Sequence, residues 1–531
     1  MFCYPSDPTM NQSEFHERLS ALSPAKLKGI RRGIEKESLR VTPEGALART
    51  PHPAALGSAL KHPHITTDFS EAQLELITGA HTGVEACLEE LWRIHQFVYR
   101  HIGEEIMWCA SMPCGLPTEN AIPIGRYGTS NVGRAKTVYR IGLAHRYGRR
   151  MQTISGLHYN WSLPEAAWPL PGLRDRNDAY FALIRNFRRH AWLLLYLFGA
   201  SPSVCASFVQ GRPHALQKLG EGTFYLPGAT SLRMGRLGYL SDAQDKLLVS
   251  YNNLESYTAS LYEALTKAYP PYEAIGIHSG YTTGDPVDGY RQLSTSLLQI
   301  ENEFYSTIRP KRVIRLAERP LHALRERGVE YVEVRAMDLD PFSPIGIVPE
   351  TVCFLDLFLL HCLLADSPPD TPQEIQVIGQ NKQRVASSGR EPGLRLDRHG
   401  EMVSLAGWGE EILAECAPIA EALDSAIGGS VYRAALAAAV AALKDPGSVP
   451  SARMLAEMAE RYRNSYVEFV MTRSLEHKRT LQSDPLPAES EARFERLARE
   501  SIAKQREIEA ADSVPFETYR QRYLSPDSLK A

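Results

Sequence analysis

The 531-residue chain is short of several things, and each shortage excludes a class of protein. Its 59 Lys+Arg against 62 Asp+Glu leave a formal charge of -3, without the basic excess that neutralising several nucleic-acid phosphates requires. Nucleic acid is therefore not an expected partner. Eight cysteines are scattered with no C-x-x-C pair, which fits neither a zinc ribbon nor a secreted disulfide framework and suits a reducing cytoplasm. The N-terminus MFCYPSDPTMNQSEFHE has neither a basic n-region nor an apolar h-region, so it reads as a loose tail rather than a secretory signal. The most apolar stretches, Ala191 to Ala200 and Thr351 to Ala365, are too short for a bilayer, and Asp356 and His361 interrupt the second. No membrane partner is expected. There is no G-x-G-x-x-G, H-E-x-x-H or G-x-S-x-G, and no repeat of 20 to 50 residues. YGTSNVGRAKT (127–137) has P-loop glycine spacing, but Arg134 and Ala135 stand where Lys and Ser or Thr must follow.

What remains is a chain of ordinary globular composition, 44% hydrophobic and 23% charged. Residues 16–360 mix short alternating strands with helices, whereas 409–511 is almost wholly helical in pattern. Pro-rich DSPPDTPQE (366–374) and polar QNKQRVASSGREPG (380–393) read as a connection between the two.

Four strand-like segments carry the chemistry, because side chains at i and i+2 share a face. Glu35 and Glu37 do so in GIEKESLRV (33–41), and Glu75 sits in AQLELIT (72–78), seven residues after Asp68. His158 and Asn160 point the same way in ISGLHYNWSLP (154–164). VEYVEVRAMDL (329–339) sets Val332, Val334 and Ala336 on one face and Tyr331, Glu333 and Arg335 on the other. Polar groups on strands backed by apolar ones predict a sheet with one face open to a cavity.

Each residue taken singly has a bland reading: a solvated strand face for Glu35 and Glu37, a structural imidazole for His158, an intra-strand ion pair for Arg335 and Glu333. As a set, the five carboxylates and His158 suit Mg²⁺ or Mn²⁺ rather than zinc, and Arg335 could clamp a phosphoryl oxygen beside such a metal. The basic clusters HRYGRR (145–150) and RPKR (309–312) read either as solvated faces or as groups reaching a substrate anion. From the residues alone, the chain is a divalent-metal enzyme.

The blocks KGIRRGIEKESLRV, ITTDFSEAQLELIT, RYGTSNVGR, MQTISGLHYNWSLP, LFGASPSVCASF, LQIENEFYSTIRPKR and VEYVEVRAMDLDPFSPIG, in that order, resemble glutamate–cysteine ligases of the proteobacterial type. The resemblance runs from about residue 26 to AADSVPF near 515. It implies an α+β fold, with a curved antiparallel sheet related to the glutamine synthetase catalytic domain surrounded by many helices. It also implies one catalytic domain over 19–515, helix-rich from about 403, between tails at 1–18 and 516–531. Glu35, Glu37, Asp68, Glu75, His158 and Glu333 would be the metal-site residues, and Arg335 with Glu333 the catalytic pair. Tyr139, His158, Arg233, Tyr239 and Tyr305 would contact substrate. The implied activity is Mg²⁺- and ATP-dependent joining of the L-glutamate γ-carboxylate to the L-cysteine amine through a γ-glutamyl phosphate, by a cytoplasmic monomer. Two alternatives stay open at this stage: another glutamate–amine ligase of the same superfamily, and a metal-dependent phosphohydrolase.

Overall fold

A computed structural model describes residues 12–238, 243–244, 247–279, 289–315 and 318–530. Strands run in the order β1 (Arg31–Val41), β2 (Ile65–Thr67), β3 (Gln73–Ile77), β4 (Ile106–Met107), β5 (Leu157–Ser162), β6 (Ser203–Cys205), β7 (Gln217–Gly220), β8 (Thr223–Tyr225), β9 (Ile308–Lys311), β10 (Tyr331–Met337), β11 (Arg395–Arg398) and β12 (Glu401–Ser404). The main sheet has the order β2-β3-β1-β5-β10-β9, with β4 paired to one end of β1, and every pairing is antiparallel. β6-β8-β7 and β11-β12 form two small separate sheets. The fold is thus α+β, as expected, and the main sheet is open.

Alternation decides which face is which. Ile34, Leu74, Leu76, Tyr159, Trp161, Ile308, Val332 and Val334 all point to one side and are almost fully buried. Burying each such side chain contributes about 1.5–3 kcal/mol, so the register is strongly specified: a slip by one residue would bring the charged set into the core. Helices Arg176–Phe198 and Pro349–Leu364 cover this apolar side, the second buried from Val352 to Leu364 on every face. Four charged or polar groups enter that layer as one paired unit. Arg32 on β1 meets Asp356 at 2.9 Å, and Asp356 also accepts hydrogen bonds from Tyr159 of β5 (2.7 Å) and Tyr432 (3.0 Å).

The helix-rich C-terminal region holds, with helices spanning most of 405–511. Two sequence expectations are corrected, and one covalent link is added. Most of QNKQRVASSGREPG is not a connection, because the helix Pro372–Ser388 runs through it as far as Ser388, capped by the Thr371 hydroxyl on the Glu374 N–H. Its outer face is polar, which disguised it; Asn381, Val385 and Ala386 are its buried residues. The ends are not loose where they are described. Gln12–Ser20 is helical with Phe15 1% exposed, and Phe516–Tyr523 is a helix with Phe516 packed against Ala135, Val138 and Leu293. Cys114 and Cys205 are joined by a disulfide, Cα–Cα 5.3 Å, across 91 residues of sequence, which their spacing did not signal. No helix among the described residues is long and apolar enough to cross a membrane.

Candidate active site

Directly opposed residues of an antiparallel pair face the same side, so the register alone assembles a row of polar groups across the sheet. Glu75 of β3 lies opposite Glu37 of β1, Glu35 opposite His158 of β5, and Glu333 of β10 opposite both Asn160 of β5 and Arg309 of β9. This row forms the floor of a cavity of about 390 Å³. All six expected metal-site residues line it, Asp68 entering from the turn after β2, together with Arg335, Tyr139 and Tyr305.

The contacts are close. His158 Nδ1 lies 3.2 Å from Glu35 and 3.9 Å from Glu333, and Nε2 lies 3.6 Å from Glu37. Glu35, Glu75 and His158 each offer a donor atom within 4.8 Å of the others. Asn160 donates to Glu35 (2.8 Å) and the Gly156 N–H to Glu37 (2.7 Å), which fixes two carboxylates from behind. Glu333 is flanked by Lys311 and Arg335, each at 3.3 Å.

Charge is distributed unevenly over this floor. Burial, with Asp68 adding repulsion, pushes the Glu37 carboxyl up to about 8 despite Arg233, the Gly156 N–H and Arg335. Burial also raises Glu75 well above the usual carboxylate range, and Glu35, Asp68 and Glu37 repel it further. Glu333 goes the other way: burial opposes its charge, but Lys311, Arg335 and His158 together hold it well below that range. Glu35 is lowered as well: burial and Glu333 oppose its charge, but the hydrogen bond and charge of His158 together with Lys311 outweigh them. Burial and Arg335 lower His158 against the pull of Glu35 and Glu333, and its Nε2 is buried without a hydrogen-bond partner. One end of the floor therefore has its negative charge matched by fixed cations; the other has carboxyls that repel one another around an uncommitted nitrogen. That second donor set, oxygen-rich with one imidazole, fits a hard divalent cation.

Sequence reasoning left several cavity residues unread. Arg309 and Lys311 of RPKR face the cavity, which decides between the two readings of that cluster. In HRYGRR, by contrast, Arg146 is sealed in an ion pair with Glu303 at 2.8 Å, with no exposure on either side. Lys136 and Arg140 line the far wall with Tyr139 and Leu143. These four are spaced i, i+3, i+4 and i+7 on the helix Asn131–Tyr147, whose Ser130 cap lies inside the P-loop look-alike, so helical periodicity there was the missed sign. Burial, reinforced by Arg140, lowers Lys136 to about 8. Gln152 also faces the cavity and donates to the Tyr305 hydroxyl at 2.7 Å. Arg233 is not among the lining residues. It is 1% exposed beneath the floor, packs under Gly156 and donates to the Arg335 carbonyl at 3.0 Å. Tyr239 lies outside the described residues.

A sheet floor bearing paired carboxylates and fixed cations, walled by tyrosines, is the site of an enzyme that handles small, strongly anionic substrates. The comparisons with known proteins make the class specific. A family profile described as glutamate–cysteine ligase matches residues 18–385. A glutamate–cysteine ligase of Alcanivorax borkumensis is 47% identical over 97% of this chain and 99% of its own, and one of Azotobacter vinelandii is 50% identical over 96% and 98%. The crystal structure of glutamate–cysteine ligase from Francisella tularensis in complex with AMP superposes with a TM-score of 0.86 at 35% identity, covering 93% of this chain and 97% of that one. A bifunctional glutathione synthetase from Pasteurella multocida gives 0.68 at 27% identity, with 88% and 55% coverage. The chain belongs to the glutamate–cysteine ligase family, the enzymes of the first step of glutathione synthesis.

Proposed function

We propose that the cavity activates the γ-carboxylate of L-glutamate with ATP and delivers the product to the amine of L-cysteine, on a sheet akin to the glutamine synthetase catalytic domain. The observation that carries this is the single cross-strand row in which repelling carboxylates adjoin Arg335, Lys311 and Arg309. A carboxylate resists an amine because its carbonyl carbon is electron-rich and its leaving group would be oxide. Phosphorylation removes that obstacle: a glutamate γ-oxygen attacks the terminal phosphorus of ATP, ADP departs, and a γ-glutamyl phosphate results.

The chain's own groups have separable tasks. Glu35, Glu37, Asp68, Glu75, Glu333 and His158 would hold Mg²⁺, or Mn²⁺ in its place. When bound, that metal supplies Lewis acidity and offsets phosphate charge. Arg335, fixed by Glu333 in front and by Arg233 through its carbonyl from behind, presents a planar positive fork to the phosphoryl oxygens in flight. Tyr139 and Tyr305 supply an apolar wall with polar tips for the thiol side chain, Tyr305 being steadied by Gln152. The amine nitrogen then attacks the acyl carbon, the C–O bond to phosphate breaks, and phosphate leaves with the electron pair. Positioning accounts for most of the acceleration. The AMP bound to the Francisella tularensis relative supports an adenine nucleotide as co-substrate, and the reading includes action as a cytoplasmic monomer.

The test is ADP release with Mg²⁺, scored with no amino acid, with glutamate alone, and with glutamate plus cysteine. Release that needs both amino acids is expected. Equal release without any amino acid would mean a phosphohydrolase instead, and equal rates with unrelated amines would mean a different ligase.

A further inference from the structure

The helix Pro349–Leu364 is apolar for most of its length, yet its last turn carries His361 and Cys362, both at 0% exposure. Across from them, the helix Arg176–Phe198 contributes His190. Donor atoms of His190, His361 and Cys362 all lie within 4.8 Å of one another. None of the three lines the catalytic cavity.

Hydrogen bonding assigns the state of one ring. Nε2 of His361 is 2.6 Å from Glu415, and a carboxylate only accepts, so Nε2 is the donor, and in the neutral ring the lone pair is on Nδ1. That Nδ1 is buried with no hydrogen-bond partner, and so is Nδ1 of His190. Packing explains the rings, since Phe15 and Trp408 lie against them, but packing does not call for a thiol to meet two imidazoles that each keep an unpaired ring nitrogen. A route in exists: His190 also lines a second cavity of about 120 Å³, whose wall includes Asp366, Glu374, Asp397 and Trp408. Nearby positive charge is offset, Arg189 by Glu374 at 2.6 Å and Arg398 by Glu411 at 2.5 Å.

We propose that His190, His361 and Cys362 form a second cation site that takes a borderline-soft ion of the Zn²⁺ class, distinct from the oxygen-rich catalytic floor. Two imidazoles and a thiolate are the donor set such an ion prefers and Mg²⁺ does not. On uptake, each imidazole gives a ring-nitrogen lone pair. The Cys362 S–H bond breaks heterolytically, the sulfur pair going to the ion and the proton to water. Glu415 orients and polarises His361 from outside the ligand shell, as a carboxylate behind a metal-binding histidine does. The C-terminal end of the Pro349–Leu364 helix adds the negative pole of its dipole. Because burial, with Cys416 close by, raises the Cys362 thiol well above its ordinary range, the ion must displace the proton and its binding tightens as pH rises.

The experiment uses the full chain, stripped of metal, held reduced, and kept in excess Mg²⁺ to occupy the catalytic floor. Zn²⁺ is titrated against a chromophoric chelator, and Co²⁺ is added separately to read thiolate-to-metal charge-transfer absorption. One equivalent of Zn²⁺, release of a proton on uptake, and a thiolate band with Co²⁺ are expected. Cys362→Ser should abolish the band and leave Mg²⁺-dependent turnover unchanged, while Glu415→Gln should weaken Zn²⁺ binding roughly tenfold to a hundredfold. Absence of the band in the wild-type protein overturns the proposal with no variant needed. So does Zn²⁺ binding that survives Cys362→Ser and is lost in Glu75→Gln, which would put the ion on the catalytic floor.

Discussion

Replacing Asp356 by Leu tests whether the paired unit behind the sheet holds the active-site strands together. Asp356 is 0% exposed and is met by Arg32, whose side chain is 2% exposed, at 2.9 Å; Tyr159 and Tyr432 donate to it at 2.7 and 3.0 Å. Burial works against charge on Arg32, but Asp356, with Tyr159 and Tyr432 beside it, outweighs it and raises the guanidinium further above its ordinary range. Leucine fits the volume, yet leaves that cation without a counter-charge, which costs about 3–5 kcal/mol. Each hydroxyl left without its acceptor adds about 1 kcal/mol or more. The expected loss is therefore roughly 5–7 kcal/mol, enough to threaten a fold whose whole margin is about 5–15 kcal/mol. Removing the cation as well, in Arg32→Leu with Asp356→Leu, should recover about 2 kcal/mol or more, because an apolar pair costs far less than a lone buried charge. Urea unfolding followed by circular dichroism on wild type, both single variants and the double variant closes the cycle. Tyr159 sits between His158 and Asn160 of the floor on β5, and Arg32 is on β1, the strand that carries Glu35 and Glu37. Ligase activity in the double variant should therefore return in step with stability. A single variant within about 0.5 kcal/mol of wild type, or a double variant no better than the sum of the singles, would refute this reasoning.

Other outcomes follow from the site. Glu333→Gln keeps size but removes the charge that Lys311 and Arg335 flank, so the protein should fold while turnover collapses; wild-type turnover at limiting Mg²⁺ would show the assignment is wrong. In metal-free protein, Glu37 and Glu75 have folded pKa values raised above the unfolded ones, so the unfolded chain releases their protons first. Stability should fall as pH rises from about 4.5 to about 8, by up to about 1.4 kcal/mol per pH unit from Glu37, and Glu75 adds a loss of the same sign. Melting in chelator across that window should show the decline, flatter in Glu37→Gln, and added Mg²⁺ should stabilise more at pH 8 than at pH 6. A chelator series with no difference between wild type and Glu37→Gln would contradict it. Walls of tyrosine discriminate a thiol from a methyl by only about 1–3 kcal/mol, so 2-aminobutyrate should replace cysteine with reduced efficiency; complete silence with 2-aminobutyrate in an enzyme active on cysteine would count against the pocket.

The period-2 alternation in four short segments determined, without any coordinates, which side chains share a face, because a strand leaves no other choice. Glu35 with Glu37, His158 with Asn160, and Glu333 with Arg335 were legible for that reason, as was the apolar backing of Val332 and Val334. Only the tertiary structure decided that β3, β1, β5, β10 and β9 lie side by side, since strand order and register depend on contacts between residues hundreds of positions apart. The same limit hid Lys136, Arg140, Arg309 and Lys311 as cavity residues, and it separated Arg309 from Arg146, which look alike in sequence and face opposite fates. Asp356 and His361 were visible as interruptions of an apolar run; what each is paired with is a matter of distance, which sequence does not carry.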